Sequence, residues 1–276
     1  MARRFYTLDV FTDRALSGNP LAVFEDARGL SDAQLQALAR QMNLSETTFV
    51  LPSRRADARV RIFTPSYEMP FAGHPTLGTA CVVAGDRPRV VLELEAGLVP
   101  VARDGERFTL QTASPPRSRP VEATRSELAS MLGLDADALG DEPRWISTGV
   151  EQLVIPVRSP EHVASARPVP ALLERWGYSE TRKEAMAYLV AESKPRWIVR
   201  FFFTSQGAVL EDPATGSACA NLGGWLLQRG RAPLSIELEQ GEAVGRPSLL
   251  HLDIDARGGI FVGGAVVELG RGTLAL

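Results

Sequence analysis

The chain has 276 residues, 45% hydrophobic and 23% charged, with a formal net charge of −3. This is the composition of a globular protein long enough for two lobes, and it excludes a global field that would favour nucleic acid or an anionic membrane. Cys81 and Cys219 are too few for a disulfide framework, and neither they nor His74, His162 and His251 fall at metal-ligand spacing.

The N-terminal Met-Ala-Arg-Arg-Phe-Tyr has no signal-peptide core, and no apolar run reaches the roughly 18 residues of a membrane span. A cytoplasmic, reduced setting is the expectation. Residues 5–11 alternate as a strand, Ser17-Gly18-Asn19-Pro20 is a turn, and a strand begins at 21–24. Ser31 is placed to cap a helix whose apolar Leu35, Leu38, Ala39 and Met42 keep helical spacing. Residues 47–51 and 60–63 read as strands. Pro75 suits the first turn of a helix that runs to Ala84 and stops at Gly85. Residues 90–94, 98–102 and 108–110 form a meander.

The second half repeats this order. Thr148-Gly149 turns into a strand at 153–157, helical material follows around 172–176, and strands follow at 186–190 and 198–203. Gly216-Ser217 opens a helix through Leu227 that stops at Gly230, and strands follow at 234–238, 249–254 and 260–267. Phe71-Ala72-Gly73-His74-Pro75-Thr76-Leu77-Gly78 returns as Ala214-Thr215-Gly216-Ser217-Ala218-Cys219-Ala220-Asn221, each copy after an arginine-led run at Arg61 or Arg200. The chain therefore reads as a duplication of lobes 1–117 and 118–276. The expected linker is Ser114-Pro115-Pro116-Arg117-Ser118-Arg119-Pro120, stiffened by proline, and the last strand is expected to pack back on the first lobe.

A helix N-terminus carries unpaired amides and about half a positive charge, so Gly73 and Gly216 mark two anion-binding starts, expected to face one cleft. His74 and Ser217 follow these glycines, and Asp212 lies just upstream of the second. The P-loop lysine is missing, which argues against nucleotide binding, and neither Lys183 nor Lys194 sits where a Schiff-base lysine would be desolvated. Taken singly, Ser217 reads equally as a helix cap, Asp212 reads as a turn former before proline and Glu46 as a solvated glutamate, whereas His74 is harder to dismiss as a buried satisfied histidine.

At Ser17-Gly18-Asn19-Pro20-Leu21-Ala22-Val23-Phe24, Asn43-Leu44-Ser45-Glu46-Thr47, the Gly73-His74 segment, Glu211-Asp212-Pro213-Ala214-Thr215-Gly216-Ser217-Ala218 and Gln240-Gly241 with Gly245-Arg246-Pro247-Ser248, the chain resembles the PhzF family of phenazine-biosynthesis isomerases. The resemblance spans nearly the whole chain. It implies an α+β, diaminopimelate-epimerase-like fold of two pseudo-symmetric lobes, each a curved, mostly antiparallel sheet or barrel around a central helix. It also implies a catalytic set of Glu46, His74, Asp212 and Ser217, with Gly73 and Gly216 binding substrate. Glu46 would be the acid/base group, no cofactor would be used, and a homodimer is expected.

Epimerases of this fold use a thiol just before each helix-opening glycine, where this chain has Ala72 and Thr215. The leading expectation is therefore a cofactor-free isomerase that shifts a proton or double bond in a small carboxylated metabolite. Two alternatives stand beside it: a two-base amino-acid epimerase or racemase, and a non-catalytic carboxylate-binding protein.

Overall fold

A computed structural model describes residues 2–275, which divide into two units: 2–111 with 263–275, and 112–262. The first unit contains β1 (Ala2–Val10), β2 (Asn19–Phe24), α1 (Asp32–Met42), β3 (Glu46–Leu51), β4 (Ala58–Phe63), β5 (Glu68–Met69), α2 (Gly73–Ala84), β6 (Arg89–Leu94), β7 (Gly97–Asp104) and β8 (Arg107–Gln111). The second contains β9 (Arg117–Pro120), α3 (Arg125–Leu132), β10 (Arg144–Ser147), β11 (Glu151–Val157), α4 (Pro160–Ser165), α5 (Pro170–Trp176), β12 (Tyr178–Ser179), β13 (Glu184–Ala191), β14 (Trp197–Ser205), β15 (Ala208–Asp212), α6 (Gly216–Leu227), β16 (Leu234–Gln240) and β17 (Ser248–Ile254). Strand β18 (Ile260–Ala275) begins in the second unit and ends in the first.

In the first unit the strands pair in the order β18, β1, β2, β3, β4, β6, β7, β8, and β8 pairs back to β18, closing a barrel. The β2–β3 and β4–β6 ladders are parallel and the other registered ladders antiparallel. Helix α2 packs against six of these strands, and His74, Pro75, Leu77, Gly78 and Ala80 on it are buried. Gly78 is where the helix comes closest to the wall: a Cβ there would lie 2.5 Å from Leu21 Cδ2. Helix α1 covers the outside. Ser31 and Gln34 form a capping box at its start, and Leu35, Leu38 and Ala39 pack on Phe24, Phe49 and Phe63.

The second unit pairs in the order β9, β10, β11, β13, β14, β16, β17, with β11–β13 and β14–β16 parallel. From β10 to β17 the alternation of ladder types matches that from β1 to β7. Each unit also carries an arginine–glutamate hairpin just before its central helix. Arg61 on β4 binds Glu68 on β5 and lies over Phe63, while Arg200 on β14 binds Glu211 on β15 and lies over Phe202. Both arginines reach on to a covering helix, Arg61 to Asp32 of α1 and Arg200 to carbonyls of Val163 and Ala164 on α4. The arginine-led runs are thus one packing device used twice.

The α+β, pseudo-symmetric reading holds, with differences in detail, among them strands β5, β10, β12 and β15 where none was expected. The proline-rich segment expected as a linker contains β9, a strand antiparallel to β10. Arg119 pins it there, with a bidentate ion pair to Glu151 at 2.9 and 3.0 Å and its guanidinium 4.4 Å from the Trp145 ring centroid. Helices α3 and α4 lie where no element was expected. Among the described residues, no helix is long and apolar enough to cross a membrane.

Candidate active site

In the first unit the site is assembled by the β2–β3 crossover and the start of α2. Gly18 holds φ +65°, and a Cβ there would meet Val10 O at 2.4 Å, so the turn needs glycine. The turn delivers Asn19 and Pro20 into β2, and Ser45 Oγ donates to Asn19 Oδ1 at 3.1 Å, tying the entry of β3 to it. The parallel register sets Glu46, the first residue of β3, beside Leu21. His74, in the first turn of α2, is 6% exposed.

The His74 Nε2 and Glu46 Oε2 atoms are 3.3 Å apart. Burial pushes the His74 pKa down to about 3, opposed in part by a hydrogen bond to the backbone of Pro20. At neutral pH this is therefore a carboxyl group against a neutral ring, although the separation is that of an ion pair. Proline has no backbone N–H, so His74 donates and the Pro20 carbonyl accepts. Nε2 faces Glu46, which leaves Nδ1 as the protonated nitrogen and Nε2 as a bare acceptor.

In the second unit, Asp212 ends β15 and α6 starts at Gly216. Thr215 Oγ1 donates to Asp212 Oδ2 at 2.6 Å. Gln240 Nε2 donates to the Asp212 carbonyl at 2.8 Å and to Thr215 Oγ1 at 3.0 Å. Thr215, at one of the two positions where the related epimerases carry a thiol, thus has its hydroxyl engaged in orienting Asp212. Ser217 does not cap the helix: its Oγ accepts from Gln152 Nε2 at 2.7 Å. Gln152 is in turn held by the buried Asn221 of α6, whose Nδ2 donates to Gln152 Oε1 at 2.6 Å.

Of the predicted residues, Glu46 and His74 are therefore in direct contact, Asp212 is held by Thr215, and Ser217 by Gln152. Gly73 and Gly216 open α2 and α6, whose N-caps, Ala72 and Thr215, make no side-chain capping bond. Sequence reasoning missed Gln152 and Asn221. Their signal was a glutamine leading an apolar strand and an asparagine within an apolar helix where the first copy has Gly78. Cys219 is fully buried and Cys81 half-buried, and burial raises the pKa of both thiols. Among the described residues, no three of His, Cys, Asp and Glu gather where they could hold a metal ion. A recess of about 410 Å³ in the first unit, lined among others by Glu25, Asp26, Asp57 and Arg87, contains none of the site residues. Its charges are already matched by Arg28–Asp26, Arg87–Asp57 and Arg4–Glu25 pairs.

The profile described as phenazine biosynthesis-like protein, PhzC-PhzF, matches residues 8–268 of this chain. The chain is 38% identical to an uncharacterized isomerase of Pasteurella multocida over 275 residues, covering 98% of this chain and 93% of the relative. It is 36% identical to the trans-2,3-dihydro-3-hydroxyanthranilate isomerase of Pseudomonas chlororaphis over 286 residues, covering 99% of each. Among solved structures, the PhzF-family phenazine biosynthesis protein of Bacillus anthracis superposes with a TM-score of 0.86 over 100% of both chains. At 23% identity, that likeness speaks for the fold.

Proposed function

The chain belongs to the PhzC-PhzF family of phenazine biosynthesis-like proteins and is an isomerase, and within that family we propose that it moves a proton between carbons of a small carboxylated metabolite, with Glu46 as the acid/base group. The observation that carries this reading is the 3.3 Å contact between Glu46 Oε2 and His74 Nε2, with the ring tautomer set by Pro20. An ionised Glu46 turns one lone pair toward another. A proton captured from substrate carbon converts that contact into a hydrogen bond, with the acid as donor and Nε2 as acceptor. The neutral ring thus stabilises the protonated acid, whose proton exchanges with solvent before Glu46 delivers one to a second carbon as the double bond shifts.

Asp212 and Ser217 are assigned to holding the substrate. Asp212 offers a fixed carboxylate and Ser217 a hydroxyl. The amides at the start of α2, whose first turn carries His74, favour the negative charge that builds when a C–H proton leaves. The two-base epimerase reading loses support from Ala72, which has no ionisable group, and from Thr215, whose hydroxyl donates to Asp212.

The name of the Pseudomonas relative supplies the first candidate substrate, trans-2,3-dihydro-3-hydroxyanthranilate. The test is turnover of this compound by wild type and by Glu46→Gln. The reading expects conversion by wild type and none above background by the variant. Equal conversion by both would remove Glu46 from the chemistry.

A further inference from the structure

Two buried side chains and the half-buried Ser217 of the second unit form a hydrogen-bonded chain whose direction is fixed by the backbone. Asn221 Oδ1 accepts from the Thr148 backbone N–H at 2.8 Å, and Asn221 Nδ2 donates to the Val150 carbonyl at 2.7 Å. A backbone N–H can only donate and a carbonyl can only accept, so the Asn221 amide has one orientation. Its Nδ2 also donates to Gln152 at 2.6 Å, which makes the facing Gln152 atom the oxygen. The other end of Gln152 is then the NH₂ group, and it donates to Ser217 Oγ at 2.7 Å. Gln152 is 1% exposed and Asn221 0%, so water does not compete for these groups, whereas Ser217 is half-buried.

The first unit fills the corresponding places differently. Three residues after the turn glycine stands Leu21 where the second copy has Gln152, and five after the helix-opening glycine stands Gly78 where it has Asn221. Leu21 packs directly over Gly78. One unit thus holds an apolar pair and the other a polar pair at equivalent positions. A buried polar pair is favourable only when its hydrogen bonds are complete, and these are completed through Ser217.

We propose that Gln152, locked by Asn221, is a positioning residue that makes Ser217 a dedicated hydrogen-bond donor to the substrate. With its oxygen already accepting from Gln152, the Ser217 hydroxyl proton is directed outward. The substrate group that meets this proton is therefore an acceptor such as a carboxylate or carbonyl oxygen. The assignment of a substrate to Ser217 rests on the isomerase reading, whereas the direction of its proton does not.

The test is a double-mutant cycle of Gln152→Leu and Ser217→Ala on kcat/KM for trans-2,3-dihydro-3-hydroxyanthranilate, alongside neutron diffraction of the deuterium-exchanged wild type. Leucine copies the residue at the matching place in the first unit. Gln152→Leu is expected to lower kcat/KM about tenfold when Ser217 is present and less than about twofold in the Ser217→Ala background. The neutron map is expected to show the Ser217 deuterium turned away from Gln152. Equal losses in both backgrounds, no loss in either, or a Ser217 deuterium aimed at Gln152 would overturn the proposal. If wild type fails to turn the compound over, the substrate reading falls, and the neutron map still decides whether Ser217 is held as a donor.

Discussion

Glu46 Oε2 and His74 Nε2 stand 3.3 Å apart, the carboxyl at the first residue of a strand and the imidazole in the first turn of the helix inside the same barrel. Neither position is set by local propensity. The strand start is fixed by its parallel register with β2, and the ring by burial and by the Pro20 carbonyl. The pair is therefore a product of the tertiary fold, and its properties give the first prediction.

Burial holds the folded His74 pKa at about 3, against about 6.5 for an unperturbed histidine. Below pH 6.5 the unfolded chain takes up a proton that the folded protein does not, so the unfolded state gains. Stability from this group is complete above about pH 6.5 and is lost as pH falls toward 3. Between pH 7 and 5 the loss amounts to about 2 kcal/mol. The stability difference between wild type and His74→Gln, followed by thermal or urea unfolding, should narrow by about this amount over that range. A difference independent of pH would show that His74 is not buried as a neutral ring.

The second prediction concerns Thr215, whose hydroxyl donates to Asp212 at 2.6 Å and accepts from Gln240 at 3.0 Å. Thr215→Ser keeps both bonds and should retain most activity, whereas Thr215→Val should lower kcat/KM about tenfold through a misplaced carboxylate. Gln240→Leu should reproduce part of that loss. If Thr215→Cys gave racemisation of a pure amino-acid enantiomer, the two-base alternative would regain its standing.

The third prediction separates the two arginine hairpins. Arg200 and Glu211 have side chains only 11% and 8% exposed, while Arg61 and Glu68 are 19% and 30% exposed. Removing one partner of a buried pair strands the other charge, so Arg200→Met should destabilise by about 3 kcal/mol. Arg61→Met leaves a carboxylate that water can reach and should cost about 1 kcal/mol. Urea unfolding of the two variants checks the order.

The fourth prediction is a gain. Tyr188 is fully buried and its hydroxyl has no hydrogen-bond partner among the described residues. Tyr188→Phe removes a desolvated polar atom while keeping the ring that packs 6.2 Å from Phe201, and should stabilise by about 1 kcal/mol. The thermal midpoint should rise by a few degrees. A fall would mean that water or an unseen partner satisfies the hydroxyl.

The features readable from sequence were those with a local cause. The Ser31 cap, the Gly18 turn, the stop at Gly85 and the two glycine-opened helices each follow from what one residue does to its own backbone. Helix α3 has such a signal as well, since Thr124 and Glu127 form a capping box at its start. Strand β9 had none, because its pairing depends on Arg119 reaching Trp145 and Glu151. The same limit applies at the site. His74 and Ser217 stand out at helix starts, but Gln152 and Asn221 acquire meaning only when β11 and α6 pack together. Glu46 was singled out through the family motif, and by residue type alone it reads as a surface glutamate.

The central claim is that Glu46 takes the proton from carbon, and its most direct test is deuterium incorporation. Wild type and Glu46→Gln would be incubated in D₂O with trans-2,3-dihydro-3-hydroxyanthranilate and followed by NMR. Turnover with deuterium entering at carbon is predicted for wild type. The variant should keep its melting temperature to within a few degrees and should show, for both turnover and carbon-bound deuterium, a loss of about a thousandfold or more. A folded Glu46→Gln protein that matched the wild-type rate would contradict the account.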